Sequence, residues 1–115
     1  MPEDDRPVSD TLAMMTATSI ENSDLPPREF MIARLAALVA VDASAASYAL
    51  NALPANESGI TLDDVEDLLV AVAPIVGTTR VVSAVANIAE GLGLVIALAE
   101  AELEEELEAE AEAEG

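Results

Sequence analysis

"DASAASYALN", residues Asp42–Asn51, spaces its polar side chains in a way that its alanine-rich surroundings do not require. Ser44, Ser47 and Asn51 stand at i, i+3 and i+7, the separations that bring side chains to one face of an α-helix. Alanine is the best helix former, so the stretch reads as a short helix from about Ser44 to Leu53, and Pro54 is expected to stop it. Tyr48 adds a phenol near the same face. Asp42, just ahead, is expected to cap the helix through the amides of Ser44 and Ala45.

On the N-terminal side, "REFMIARLAALVAV" (Arg28–Val41) is apolar on nearly every face after Arg34. Such a helix needs protein all round it, which in so short a chain points to an oligomer. Pro26-Pro27 suits the entry to that helix, because a first-turn N–H has no partner to lose. Glu29 falls in its first turn, where the helix dipole favours negative charge. Further out, a helix is expected from about Thr11 to Ile20 with Ser9 or Asp10 as its cap. "MPEDDRPVS" (residues 1–9), with two prolines and four charges, reads as a disordered acidic leader.

On the C-terminal side, "PANESG" (54–59) reads as a loop, after which Thr61 and Asp64 form a capping box. Val65, Leu68, Leu69 and Val72 follow with helical spacing, and Pro74 and Gly77 are expected to close that helix. Thr78 or Thr79 opens the next, with Val81, Val85, Ile88 and Leu92 along one stripe, and Gly91 and Gly93 are expected to kink or interrupt it. The apolar spacing continues through Ile96, Ala99, Leu103 and Leu107. Residues 100–115 form an acidic Ala/Glu tail whose unpaired glutamates repel at i, i+4, so its end is expected to fray. Leu103 and Leu107 also offer a seam to a protein partner or a coiled coil. The expected organisation is a helical domain over 10–99 between the leader and the tail.

Composition narrows the functional classes. Of 115 residues, 52% are apolar but only 2% aromatic, which favours closely packed helices over a β-sandwich. The net charge is −19, with 23 acids against four arginines and no lysine. That balance argues against nucleic-acid binding, which displaces counterions with cationic side chains, and against adhesion to an anionic membrane surface. The acidity has two readings, a high-salt cytoplasm or a GC-rich genome that depletes lysine. No uncharged run reaches the roughly 20 residues of a membrane span. Met1–Asp10 lacks an apolar segment of the secretory kind, so the expected location is cytoplasmic.

Taken in order, an apolar helix, the polar-spaced helix, a Gly59-Ile60-Thr61 turn eight residues beyond Asn51 and a capped amphipathic helix resemble the carboxymuconolactone decarboxylase and alkylhydroperoxidase D-like family. The likeness extends over about Leu25–Gly93, including the small-residue helix with its mid-segment glycine. It implies an all-α, alkylhydroperoxidase D-like bundle of about five helices, assembled as a trimer or hexamer. In the family's C-x-x-C-x-x-x-H pattern, Ser44 and Ser47 stand where the cysteines would be and Asn51 where the histidine would be, so the site is vestigial.

The family's chemistry does not carry over with the spacing. A serine hydroxyl neither becomes an oxidant-sensitive thiolate nor forms a disulfide, and asparagine does not exchange a proton near neutral pH as imidazole does. The chain has no cysteine and no histidine, so cysteine-dependent peroxidase activity is excluded. A serine nucleophile lacks its usual histidine or lysine base. Asp42 and Glu29 are the nearest carboxylates in sequence that a rebuilt acid–base site would use. With Tyr48 and with Arg34 or Arg80 as a cation, they are the candidate lining of a polar pocket. The alternative is that the three polar groups satisfy one another between packed helices.

No metal or cofactor is expected. The densest acid cluster outside the tail, "DDVED" (Asp63–Asp67), lacks a calcium-loop glycine and reads as a solvated helix start. Three functions follow: a non-catalytic oligomeric structural or interaction module, a decarboxylase or lactone-processing enzyme using carboxylates, and a ligand-binding or regulatory subunit of an active paralogue.

Overall fold

A computed structural model describes residues 6–114, apart from the side chains of 94–99 and 114. All five elements are helices: α1 (Arg6–Asn22), α2 (Pro27–Ala40), α3 (Ala45–Glu57), α4 (Leu62–Val76) and α5 (Thr78–Glu114). Helices α2 and α5 each pack against the other and against both α3 and α4, whereas α3 and α4 do not pack together. The core is thus a central pair with one helix on either side. It contains Met31, Leu35 and Val39 of α2, Tyr48 and Ala55 of α3, Leu68 and Leu69 of α4, and Ala84 of α5. None of the described helices is long and apolar enough to cross a membrane.

Within the subunit, helix α2 is covered along one face. Met31, Leu35 and Val39 repeat at four-residue steps and are buried, while Ala33, Ala37 and Val41 face outward. One stripe is core and the opposite face is open.

Pro54 was expected to stop α3 and does not; α4, expected to close at Pro74 and Gly77, runs past the proline and ends at its C-cap Gly77. Helix α3 runs three residues past Pro54 and α4 two past Pro74. Proline removes the bond to the carbonyl four residues back, here that of Leu50 or Val70. Those residues are 80% and 74% exposed, so solvent reaches the side of the helix where the bond is lost. The actual stops are turns. At the end of α2 the Ala43 N–H donates to the Leu38 carbonyl (3.0 Å) and the Asp42 N–H to that of Val39 (3.2 Å). At the end of α3, Ile60 donates to Ala55 (3.0 Å) and Gly59 to Asn56 (3.1 Å). Both are Schellman closures, with Asp42 (φ 54°) and Gly59 (φ 81°) in the left-handed position.

The capping box at α4 forms as expected: Asp64 N–H donates to Thr61 Oγ1 (3.2 Å), and Thr61 N–H donates to Asp64 Oδ2 (2.8 Å). Its apolar stripe also lies inward, with Leu68 and Leu69 buried and Val65 and Val72 half-buried.

Helix α5 passes through Gly91 and Gly93 without a break. A Cβ at Gly91 would lie 2.8 Å from the Ala45 carbonyl oxygen and 3.1 Å from the Ala49 nitrogen, so this glycine is where α5 crosses the backbone of α3. The inward stripe is Val81, Ala84, Ile88 and Gly91; Val85, expected in it, is 53% exposed. Leu103 and Leu107 are exposed, and the Ile96 and Ala99 side chains lie outside the described residues. The acidic segment continues α5 as helix to Glu114. At the other end, residues 6–9 are helical and extend α1 beyond the expected start, while residues 1–5 of the expected leader lie outside the described residues. Alpha1 buries no residue and packs against no other described helix.

Candidate functional site

Ser44 is the N-cap of α3, in extended conformation, and its Oγ accepts from the Ser47 N–H (3.4 Å). Asp42 therefore does not cap the helix as expected. The left-handed turn at residue 42 leaves the capping position to Ser44, and Asp42 Oδ1 instead accepts from the Ser83 hydroxyl of α5 (2.6 Å). Ser44 Oγ and Ser47 Oγ lie 3.5 Å apart, and Asn51 Nδ2 donates to the Ser47 carbonyl (2.8 Å). The three sequence-selected residues share one helix face, and each is partnered within its own helix or by its own cap. Ser44 is exposed; Ser47 and Asn51 are half-buried.

The remaining candidates are dispersed. Glu29 is exposed in the first turn of α2. Arg34 lies over the Phe30 ring, 4.6 Å from its centroid, on the same helix. Arg80 donates to the Ala40 carbonyl at the exit of α2, where the helix dipole favours a cation. No hydrogen bond among the described residues links Asp42, Glu29, Arg34 or Arg80 to the hydroxyl of Ser44 or Ser47. Among the described residues, no group of three or more acidic side chains is placed to hold a metal ion.

A pocket is present, but not where the serines are. Because α3 and α4 do not touch, the gap between them is a cavity of about 470 Å³. Its walls come from four helices: Leu35 and Val39 of α2, Tyr48, Asn51 and Ala55 of α3, Val65 and Leu68 of α4, and Ile88 and Leu92 of α5. Asn56, Thr61 and Asn51 are its few polar lining residues besides Tyr48. The alanines of α3 are too short to reach across to α4, which is why the space is not filled. Of the candidates from sequence, only Asn51 and Tyr48 line it.

Tyr48 is 5% exposed, and no protein group accepts its hydroxyl proton. Burial, and secondarily the charge of Asp42, pushes its phenol pKa above the ordinary tyrosine value. It is therefore a neutral donor at physiological pH.

The sequence reading missed the strongest polar contact, between Arg28 and Asp64. Arg28 Nη1 and Nη2 donate to Asp64 Oδ2 and Oδ1 at 2.8 and 2.7 Å, and Nη1 also donates to the Gly59 carbonyl (3.3 Å). The guanidinium, with the Thr61 amide and hydroxyl, holds the Asp64 carboxyl well below the usual carboxylate range. The usable signal was Asp64 itself, a capping-box carboxylate with one oxygen still unassigned.

No family model, curated protein or solved structure matches this chain.

Proposed function

We propose that this chain is a non-catalytic, self-associating helical module, a degenerate relative of the carboxymuconolactone decarboxylase-like proteins, with the trimer or hexamer as the expected assembly. The carrying observation is surface. The subunit exposes 8319 Å², against about 5,900 Å² for a compact monomer of its mass. The excess is on the scale that subunits bury in permanent interfaces. Sixteen large aliphatic side chains among the described residues are more than half exposed, outnumbering those in the core. The radius of gyration is 17.3 Å, whereas a compact chain of this length has about 13 Å.

Helix α1 makes the case most sharply. An isolated 17-residue helix is marginal in water, and this one carries several threonines and serines with little intrinsic preference for helix. Val8, Leu12 and Met15 fall at i, i+4 and i+7 and are all exposed. Packing against another copy supplies what the sequence of α1 does not.

Among the described residues no carboxylate or other base is hydrogen-bonded to Ser44 or Ser47, whose hydroxyls lie against each other, and this supports the non-catalytic part. Light scattering tests the whole reading. In about 1 M salt, where the screening length is near 3 Å, repulsion between chains of net charge −19 is suppressed and a discrete oligomer is expected. Leu12→Glu with Met15→Glu reduces it to smaller species while leaving the helical signal of α2–α5 in place. A monomer at both low and high salt overturns the proposal.

A further inference from the structure

We infer that the cavity between α3 and α4 receives helix α1 of another copy of this chain, with Leu12 as the central side chain seated in it. This rests on the proposed self-association and names the two surfaces that meet.

The two surfaces match in spacing, size and polarity. Val8, Leu12 and Met15 lie at i, i+4 and i+7 of α1 and are exposed, and no residue from Thr11 to Ile20 is charged. Amphipathic helices dock into apolar grooves through anchors at that spacing. The cavity, at about 470 Å³, has the size of a site for a drug-sized molecule and so admits more than one aliphatic side chain. Ala52 and Ala55 form one wall, Leu62 and Val65 the other, and none of its lining residues is charged. Leu62 is 66% exposed there, so covering it is favourable.

Charge and shape favour this cavity over the other exposed apolar positions. Copies of net charge −19 repel, and a contact that sets acids against acids is costly. Val70 stands on the outer side of α4 among Asp63, Glu66 and Asp67, and Leu103 and Leu107 stand among glutamates. An uncharged stretch meeting an uncharged lining avoids that repulsion. Leu50 has no charge within a turn of it on α3, but it projects from one convex helix. The cavity surrounds an inserted side chain with four helices.

The connector decides between the chain's own α1 and another copy's. Arg28, bound to Gly59 and Asp64, holds the start of α2 beside the turn from α3 to α4, so α1 departs from one end of its own cavity. Residues 23–26 alone join the two helices. Pro26 is extended (φ −56°, ψ 153°), and Leu25 and Pro26 each precede a proline, which disfavours the helical region at both. So short and stiff a connector does not turn α1 back along its own cavity, and α1 packs against no other described helix. Passing α1 from each copy to the next closes a ring, the form of a trimer.

The chain has no cysteine, so engineered disulfides report the contact without background. Leu12→Cys chains are mixed in urea with equal amounts of Ala52→Cys, Leu50→Cys or Val70→Cys chains. Each mixture is refolded into about 1 M salt and mildly oxidised, and mass spectrometry counts the mixed pairs. Circular dichroism shows each variant folded, and Leu62→Cys stands in for Ala52→Cys should that chain not fold. Leu12→Cys is expected to link to Ala52→Cys at least about tenfold faster than to either outer position, because docking holds the thiols at millimolar effective concentration. A single chain carrying both Leu12→Cys and Ala52→Cys is expected to give linked oligomers. Linkage within one such chain overturns the inference, since α1 then covers its own cavity. Linkage to Leu50→Cys or Val70→Cys as fast as to Ala52→Cys, in a protein that light scattering shows to be oligomeric, overturns this inference alone and leaves self-association standing. A monomer in light scattering overturns both.

Discussion

Helices α2 and α3 leave by the same closure and solve it with different residues. Gly59 takes the left-handed position after α3 at no steric cost, whereas Asp42 takes it after α2, where a side chain is disfavoured. Each exit is tied by an arginine from a distant helix: Arg80 of α5 donates to Ala40 at the first, and Arg28 of α2 donates to Gly59 at the second. Each also has a carboxylate, Asp42 bound by Ser83 and Asp64 bound by Arg28. The difference lies in where the carboxylate sits. At the second exit it is carried by the following helix, which leaves the turn free to be glycine. At the first, the turn residue must supply it, and Asp is among the few side chains that tolerate the left-handed region.

The largest expected effect removes one clamp and leaves the other. Gly91 lets α5 lie against the backbone of α3, which holds Arg80 and Ser83 over the first exit. Gly91→Leu puts a side chain where even a Cβ is 2.8 Å from the Ala45 oxygen, and that atom belongs to backbone and does not yield cheaply. A loss of about 3 kcal/mol or more is expected in urea unfolding, at the upper end for overpacking. Gly93→Ala, where nothing lies within 4 Å, is the control and gains up to about 1 kcal/mol from helix preference alone. If both glycines behave alike, α5 does not cross α3 at Gly91.

That pair also shows what sequence could and could not carry. The helical class, the capping box at Thr61 and the inward stripe of α4 were legible, because each depends on residues within a few positions of one another. Gly91 was visible only as a break in a pattern, since a contact across 42 residues, to Ala49, leaves no local trace. Pro54 misled for the same reason: what a proline does depends on whether the carbonyl four residues earlier faces solvent, and that is decided by packing. For the site, the spacing of Ser44, Ser47 and Asn51 gave a shared helix face. The cavity, which owes its existence to α3 and α4 failing to meet, had no signature in either helix alone.

Smaller effects come from exchanging the two turn residues. Gly59→Ala introduces a Cβ that meets nothing, so its cost is conformational alone, about 1–2 kcal/mol. Asp42→Gly relieves the left-handed position but gives up the bond from Ser83, worth about 1 kcal/mol, so stability should change by less than about 1 kcal/mol. Paired urea midpoints decide between them. A loss at Asp42→Gly as large as that at Gly59→Ala would mean that the carboxylate bond outweighs the relief of the left-handed backbone, and a gain in its place would mean that the carboxylate contributes little.

The smallest effect belongs to Arg28, whose side chain is nearly half exposed and therefore well screened. Its signature is in pH dependence. Asp64 has a lower pKa folded than unfolded, chiefly through Arg28 and then through Thr61. The stability it contributes is thus present above the unfolded carboxylate value near 4 and lost as pH falls toward the folded value. Protonating the other acids acts in the opposite sense, by relieving repulsion in a chain of net charge −19. The wild-type profile alone therefore mixes two trends, and the difference from Arg28→Ala separates them. Between about pH 5 and pH 2, the variant should lose less stability than the wild type, or gain more. A residual acid dependence should persist in the variant, because the Thr61 amide still donates to Asp64 at 2.8 Å. Thr61→Ala leaves that amide in place and removes only the hydroxyl, so its profile should stay close to the wild type while its stability drops by about 1 kcal/mol at every pH, the worth of an N-cap. Parallel profiles for wild type and Arg28→Ala would mean that the guanidinium does not hold Asp64 in solution, and the second exit would then be closed by glycine and capping box alone.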